Sequence, residues 1–222
     1  MSKIEWCDRT LNPIRGLCPH ACPYCYMTKM HKRFGTGQET TYHWEECNNI
    51  LDKTRYSATF FVGSANDIFA DRKDAITAAD LLGSKHTLLF LTKNPANYRC
   101  FLDRHFEMHN VYDDDYFLGA SLDGKHYTDL NGGHELLDFI SVEPLLAPVK
   151  LPETSARAVI IGGLTGHGSP YKHTPMEWVD DVVTQALDSG MKVFIKDNLK
   201  DYIAPLEAKH GVSLRQLLWE VR

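Results

Sequence analysis

Three cysteines whose spacing suits a metal or cluster loop, Cys18, Cys22 and Cys25, fall within eight consecutive residues. Cysteine thiolates are the usual ligands of iron–sulfur clusters, and a loop this short can place three sulfurs on three corners of one cubane. No fourth cysteine accompanies them in the loop, so the fourth iron of such a cluster would lack a protein ligand. The spacing therefore predicts a [4Fe–4S] cluster with one iron open to a small molecule.

Two other uses of the cysteines fit the spacing less well. A structural zinc site normally has four ligands in two pairs, and its second pair lies downstream. Here Cys47 and Cys100 are isolated, although His20 belongs to the same loop. A chain of this size needs no disulfide framework, and nothing indicates secretion. We expect Cys7, Cys47 and Cys100 to be free thiols, and a zinc-stabilised binding module stays open as the alternative to a cluster.

The composition is that of one globular domain covering residues 1–222. The chain has a mass of 25.3 kDa, with 43% hydrophobic and 24% charged residues, and this is enough for one sizeable core. The net charge of −5 argues against a protein that coats nucleic acid nonspecifically, because that affinity comes from neutralised phosphates. A local basic run, Lys29, Lys32 and Arg33, follows the cysteines and is either one side of a mouth for an anionic substrate or a solvated helix face.

No stretch of the sequence predicts a membrane partner. No apolar run reaches the roughly 18 residues of a membrane span, and the first residues contain no apolar signal core. We therefore expect a reducing, cytoplasmic compartment, in which thiolates stay available to a cluster.

Apolar segments of strand length alternate with helical patterns from residue 58 onward. Near-continuous apolar strands of this kind indicate a parallel sheet covered by helices on its outer face. Six or seven such units favour a full or partial (β/α) barrel over a doubly wound sheet, and no GxGxxG motif follows the first strand. Strands are predicted at residues 59–64, 87–92, 116–121, 139–143, 158–163 and 191–195. Helices are predicted at residues 26–34, 44–51, 75–82, 96–106, 176–189 and 214–219, with a short one before 137.

Polar residues cluster where the predicted strands end. Parallel β/α barrels place their active sites at this end of their strands, so we expect these groups to converge beside the cysteine loop. The alternative for each of them is that it merely begins a surface loop. The group comprises Ser64, Asn66, Asp67, Lys93, Asn94, Ser121, Asp123, Ser141, Glu143, Gly162, Gly163, Thr165, Lys196, Asp197 and Asn198.

Glu143 is the most informative of these residues because it lies in a hydrophobic run before Pro144. An unpaired carboxylate there would be costly, so we expect a cationic partner: Lys93, Lys196 or the ammonium group of a ligand. The glycine-rich segment at residues 163–170 predicts either part of a nucleotide cradle or a flexible loop.

With these residues in view, the chain resembles the radical S-adenosylmethionine (SAM) superfamily, and within it a family of phage and bacterial proteins of largely unassigned function. The cysteine loop at residues 16–26 carries the most specific part of the resemblance. Further matching stretches lie at residues 12–13, 61–69, 90–95, 141–146, 161–163 and 194–196. The resemblance implies a partial (β/α)6-type radical SAM barrel, with Cys18, Cys22 and Cys25 as catalytic cluster ligands and SAM across the strand ends.

The resemblance also implies roles for individual residues in binding SAM. Tyr24 is expected near the adenine, and Glu143 and Lys93 at the ribose or methionine end. Other expected cofactor-binding residues are Ser64, Asn66 and Asp67, which replace the family's glycine-rich motif for the amino group, together with Ser121, Asp123, Gly162, Gly163 and Lys196. The replaced motif is a departure from the family, whose usual sequence there is Gly-Gly-Glu.

The implied reaction is reductive cleavage of SAM. A reductant such as flavodoxin or ferredoxin supplies one electron, and the 5′-deoxyadenosyl radical abstracts hydrogen from a substrate. The family is distantly similar to spore photoproduct lyase, which suggests a nucleic-acid base or modified thymine as substrate, in DNA hypermodification, isomerisation or repair. A phage-encoded protein would then act in the host cytoplasm. The alternatives are a small-molecule radical SAM enzyme and a non-catalytic module stabilised by zinc or a cluster.

Overall fold

A seven-stranded parallel sheet forms the centre of the computed structural model, which describes residues 4–37, 39–109, 116–126, 128–165 and 174–219. The strands follow one another across the sheet in chain order, as expected when each strand returns beside the previous one through an outer helix. In that order they are β1 (Arg9–Leu11), β4 (Thr59–Val62), β5 (Thr87–Thr92), β6 (Tyr116–Leu122), β7 (Phe139–Val142), β8 (Ala158–Ile161) and β9 (Lys192–Ile195). A separate antiparallel pair consists of β2 (Ile14–Arg15) and β3 (Thr41–Tyr42).

Six helices accompany the strands in the described part of the chain. They are α1 (Tyr26–Phe34), α2 (Trp44–Lys53), α3 (Arg72–Ala78), α4 (Tyr98–His109), α5 (Met176–Asp188) and α6 (Lys200–His210). The prediction for α1 is confirmed at both ends. Helix α3 begins three residues earlier than predicted because the Asp71 carboxylate caps it, accepting hydrogen bonds from the backbone N–H groups of Lys73 and Asp74. The predicted helix before residue 137 is a single 3-10 turn, His134–Leu136.

The sheet has two apolar faces, because successive side chains of a strand point to opposite sides. One face packs under the helices, and the other forms a separate cluster around two tryptophans, Trp6 and Trp219. The Trp6 ring lies 4.7 Å from the ring of Phe61 on β4 and 6.2 Å from that of Phe139 on β7. Three strand spacings in a flat sheet would span about 14 Å, so the sheet curves around the tryptophans. Within the described residues β1 and β9 remain edge strands that do not pair with each other.

The prediction of a helix at residues 214–219 is wrong. This segment runs antiparallel to β9: Ile195 N–H donates to Leu214 O at 2.8 Å, and Gln216 N–H donates to Val193 O at 2.9 Å. An edge strand presents unpaired backbone groups, and the segment satisfies those of β9. Arg215 adds to the contact, with its guanidinium carbon 4.3 Å from the centroid of the Phe194 ring.

Three strands end one or two residues earlier than predicted: β4 ends at Val62, β7 at Val142 and β8 at Ile161. The residues that follow them therefore belong to loops at the carboxyl edge of the sheet. Residues 166–170, which make up most of the glycine-rich segment at 163–170, lie outside the described residues. No helix in the described part of the chain is long and apolar enough to cross a membrane.

Candidate functional site

The cysteine loop lies over the carboxyl edge of the sheet and borders an open cavity of about 160 Å³. Two tight turns form the loop, with Ala21 N–H donating to Cys18 O and Cys25 N–H donating to Cys22 O. Cys25 is also the N-cap residue of α1. All three loop cysteines line the cavity, and so do the predicted site residues Ser64, Asn66, Asp67, Lys93 and Ser121.

Asp67, which follows β4, connects the cysteine loop to the sheet. Its Oδ2 atom accepts hydrogen bonds from the Thr92 hydroxyl at 2.8 Å and the Lys93 N–H at 2.9 Å, and it lies 2.8 Å from Nε2 of His20. Its Oδ1 atom accepts from the N–H of Phe69 at 2.9 Å. The carboxylate is thus engaged by the protein itself, and it positions the loop. Thr92 was predicted only as the last residue of a strand, whereas His20 was visible as a polar residue inside the loop.

Asn12 holds the loop after β4, whose residues Ser64 and Ala65 line the cavity. Its side-chain Oδ1 accepts hydrogen bonds from the Ser64 hydroxyl at 3.1 Å and from the Ala65 N–H at 2.8 Å. Asn66 is buried and donates from its side chain to Gly16 O at 3.4 Å. In the sequence, Asn12 stood out only as the residue before Pro13 and as part of a stretch matching the family, and the structure shows that it fixes the loop after β4.

Tyr24, the residue before the third cysteine, is joined to the end of β6. Its hydroxyl donates to Oδ2 of Asp123 at 2.7 Å. The same oxygen accepts from Lys93 Nζ at 3.1 Å and lies 3.1 Å from Nδ1 of His126. Lys93 Nζ also lies 5.8 Å from the centroid of the Tyr24 ring, within the range of a cation–π contact. His126 is a site neighbour that sequence reasoning missed.

Asp123 is fully buried, yet its carboxylate is held in the charged form. Burial by itself raises the pKa of a carboxyl, but here the N–H of His126, the Tyr24 hydroxyl, the N–H of Lys125 and the Lys93 ammonium outweigh it. Together they lower the pKa of Asp123 to about 2. Burial and the hydrogen bond to Asp123 raise the pKa of Tyr24, so this tyrosine stays a hydrogen-bond donor at neutral pH.

Glu143 pairs with Lys196, one of the partners that the sequence suggested. Lys93, the other suggested partner, pairs with Asp123 instead. Gly162 leaves room for the pair, because a Cβ atom there would lie 3.0 Å from Lys196 Cδ and 3.1 Å from Glu143 Cδ. These residues follow β7, β8 and β9 at the same carboxyl edge, but they do not line the cavity of the cysteine loop.

Gly163 and Ser141 also lie at the carboxyl edge, Gly163 in the loop after β8 and Ser141 near the end of β7. Gly163 exchanges two hydrogen bonds with the Asn198 side chain, at 3.2 and 2.6 Å. Ser121 and Ser141 lie opposite each other in the register of β6 and β7. The Ser141 hydroxyl is buried and has no hydrogen-bond partner in the part of the chain that the structure describes, so a water or ligand atom would be needed to satisfy it.

The sulfur of Cys18 lies in a hydrogen-bonding environment. Burial raises the pKa of this thiol, while the backbone N–H groups of His20 and Asp67, which hydrogen-bond to the sulfur, act in the opposite direction. Cys22 is a further hydrogen-bonding neighbour of the Tyr24 hydroxyl. Hydrogen bonds of this kind are among the features that tune thiolates bound to iron–sulfur clusters.

The cysteines outside the loop are separate from this site. None of Cys7, Cys47 and Cys100 forms a disulfide in the described part of the chain, and the last two are buried. Burial raises the pKa of Cys47 to about 11, so it remains a protonated core thiol. Across the described ranges, no three His, Cys, Asp or Glu side chains are arranged to hold one metal ion.

Comparison with known proteins gives a family but no activity. No curated protein matches the chain, and no solved structure matches it either. One family model matches residues 1–212, nearly the whole sequence, and its description is "Protein of unknown function (DUF5131)". The chain therefore belongs to the DUF5131 family.

Proposed function

We propose that this protein is a radical SAM enzyme that uses a [4Fe–4S] cluster bound by Cys18, Cys22 and Cys25. The observation that carries the proposal is the position of the three thiols, which line one cavity at the carboxyl edge of a parallel sheet. This is the edge at which parallel β/α folds bind their ligands. We further propose that the curved sheet is the partial (β/α)6-type barrel of that superfamily.

The donor set fits a cluster better than a single metal ion. Each thiolate of a cubane binds a different iron atom, so three cluster ligands need not converge on one point. A mononuclear zinc site needs four ligands around one ion. In the described part of the chain, no three ligand side chains are arranged around a common ion position. Burial raises the pKa of Cys18, while the backbone N–H groups of His20 and Asp67, together with a bound iron, would favour its thiolate form.

The protein's own contribution is to hold the loop and to order polar groups around the cavity. Asp67 ties His20 to the ends of β4 and β5, and Tyr24 ties the loop to Asp123. Lys93 and Ser121 line the cavity beside the cysteines. In this proposal these side chains orient SAM, while the Glu143–Lys196 pair lies further along the same edge.

When bound, the cluster supplies one electron at a low potential to the sulfonium of SAM. The products of this reductive cleavage would be methionine and 5′-deoxyadenosine, with one hydrogen atom taken from a C–H bond of the substrate. The electron comes from a one-electron carrier of the flavodoxin or ferredoxin class. A reducing cytoplasm is the compartment in which this chemistry is expected.

The decisive experiment is electron paramagnetic resonance on anaerobically reconstituted, dithionite-reduced protein, with and without SAM, together with chromatography for 5′-deoxyadenosine. We expect a [4Fe–4S]⁺ signal that SAM changes, and formation of deoxyadenosine. Cys22→Ala should lose both, whereas Cys100→Ala, in which a buried thiol of α4 is removed, should keep both. A zinc-loaded protein without a signal would refute the proposal and favour a binding module. A Cys22→Ala variant that kept both the signal and deoxyadenosine formation would refute the assignment of the cluster ligands.

A further inference from the structure

Helix α1 directly follows the cysteine loop, and all its side chains except the half-buried Met27 and His31 are exposed. None of its nine residues is buried, and its sequence contains no acidic residue. Tyr26, Met30 and Phe34 are 55%, 45% and 61% exposed. Residues four apart lie on one stripe of a helix, so these three side chains form a continuous apolar stripe that the rest of the described chain leaves uncovered.

A basic stripe runs beside the apolar one. Lys29 and Arg33 are four residues apart and both exposed, and Lys32 extends the positive charge toward the next face. The Arg33 guanidinium carbon lies 5.4 Å from the centroid of the Phe34 ring. Because the chain as a whole carries a net charge of −5, this helix is a local exception to the charge of the protein.

The apolar stripe begins at the rim of the cavity. Cys25 caps α1, Met27 lines the cavity, and the Tyr26 hydroxyl donates to Ser64 O at 3.1 Å. From Tyr26 the helix carries Phe34 about 12 Å away along its axis, at 1.5 Å per residue. A ligand held on α1 would therefore extend directly toward the three thiols.

We propose that α1 is a docking surface for single-stranded nucleic acid, which places a base at the cavity. Proteins bind single strands by combining a positively charged track for the backbone with exposed aromatic rings on which bases stack. The basic and apolar stripes of α1 supply both elements. This inference rests on the proposed function, because only a reaction in the adjacent cavity would act on the bound strand.

The exposed rings beside the cations favour a nucleic acid over an acidic protein such as an electron carrier. Electron carriers also form small interfaces, so the size of this nine-residue helix does not separate the two partners, whereas bases stack on exposed rings such as that of Phe34. A single strand needs only a short track of cations and a few rings.

The test is fluorescence anisotropy with a short labelled single-stranded DNA and the anaerobically reconstituted protein. We expect salt-sensitive binding that the double variant Lys29→Glu/Arg33→Glu weakens at least about ten-fold. Loss of two phosphate contacts should also reduce the slope of log K against log salt by about 1.4. Phe34→Ala should weaken binding about five-fold or more, the lower end of what one stacked ring contributes.

Matched controls separate this effect from general charge or folding. Lys53→Glu/Lys73→Glu makes the same charge change at exposed positions of α2 and α3, and Tyr56→Ala removes a ring that is 84% exposed. Both should bind like the wild type. Absence of DNA binding, equal loss in the controls, or binding of an acidic electron carrier to α1 in place of DNA would overturn the proposal.

The same preparations distinguish the two proposals. DNA binding without deoxyadenosine formation would refute the radical SAM reaction and leave the docking surface standing. Deoxyadenosine formation without DNA binding would refute the docking surface alone.

Discussion

The Tyr24 hydroxyl donates a 2.7 Å hydrogen bond to the carboxylate of Asp123, a residue 99 positions later in the chain. This bond attaches the cysteine loop to the end of β6. Its acceptor is fully buried and also holds Lys93, so the loop, β5 and β6 meet at a single carboxylate.

Tyr24→Phe removes the hydroxyl, and with it this hydrogen bond, and keeps the ring. We expect the free energy of unfolding to fall by about 1–3 kcal/mol, because a hydrogen bond to a charged acceptor is lost. The pKa of Asp123 should rise, since the hydroxyl is one of the groups that lower it. Urea unfolding measures the first effect, with Tyr56→Phe, at an exposed ring, as the control. Equal stability of the two variants would show that the bond does not hold the loop.

The free energy of unfolding should fall at acid pH as Asp123 becomes protonated. Its pKa is lowered from 3.8 to about 2. A carboxyl with a lowered folded pKa stabilises the protein above its unfolded pKa and loses that contribution as the pH falls through its folded pKa. The contribution, about 2 kcal/mol, is therefore complete above about pH 4 and is lost between about pH 4 and pH 2.

Asp123→Asn tests this assignment. The variant should be less stable at pH 7, and its free energy of unfolding should change less below about pH 4 than that of the wild type. Asp188→Asn, at an exposed carboxyl of α5, should follow the wild-type curve. Parallel acid curves for Asp123→Asn and wild type would assign the acid dependence to other carboxyls.

Asp67→Asn should loosen the cysteine loop. The carboxylate accepts three hydrogen bonds, from Thr92, Lys93 and Phe69, and faces His20. An amide has one acceptor oxygen and would direct its NH₂ group at a donor, at a cost of about 1–3 kcal/mol. Hydrogen exchange of residues 18–25 should accelerate in this variant and stay unchanged in Asp52→Asn, at an exposed position of α2. Unchanged hydrogen exchange in both variants would show that Asp67 does not position the loop.

Glu143 and Lys196 should be energetically coupled. Both side chains are largely buried, at 26% and 13% exposure, so either one alone would be a poorly solvated charge. A double-mutant cycle with Glu143→Gln and Lys196→Met should give a coupling of about 1–3 kcal/mol. The exposed pair Arg104–Glu107, at 3.8 Å, should give less than about 0.5 kcal/mol. Additive effects in the first cycle would mean that the pair contributes little.

Several features of the candidate site were predictable because they depend on local pattern. The apolar strands and the polar residues that follow them were visible in the sequence, and a parallel sheet brings the ends of its strands to one edge. A cationic partner for Glu143 followed from the cost of an unpaired carboxylate in an apolar segment, while the choice of Lys196 over Lys93 came only from the structure. The path of residues 214–219 was not predictable, because it depends on the unpaired edge of β9 rather than on its own pattern.

By itself the sequence determined the three thiols of the loop, their spacing, and the succession of strands and helices that carries polar groups to one edge. Only the tertiary structure decided which polar groups bind one another: Asp67 with Thr92 and His20, and Tyr24 with Asp123. The physical reason is that hydrogen bonds act over about 3 Å. Such contacts form only after the curvature of the sheet and the placement of the loop bring residues distant in the chain together.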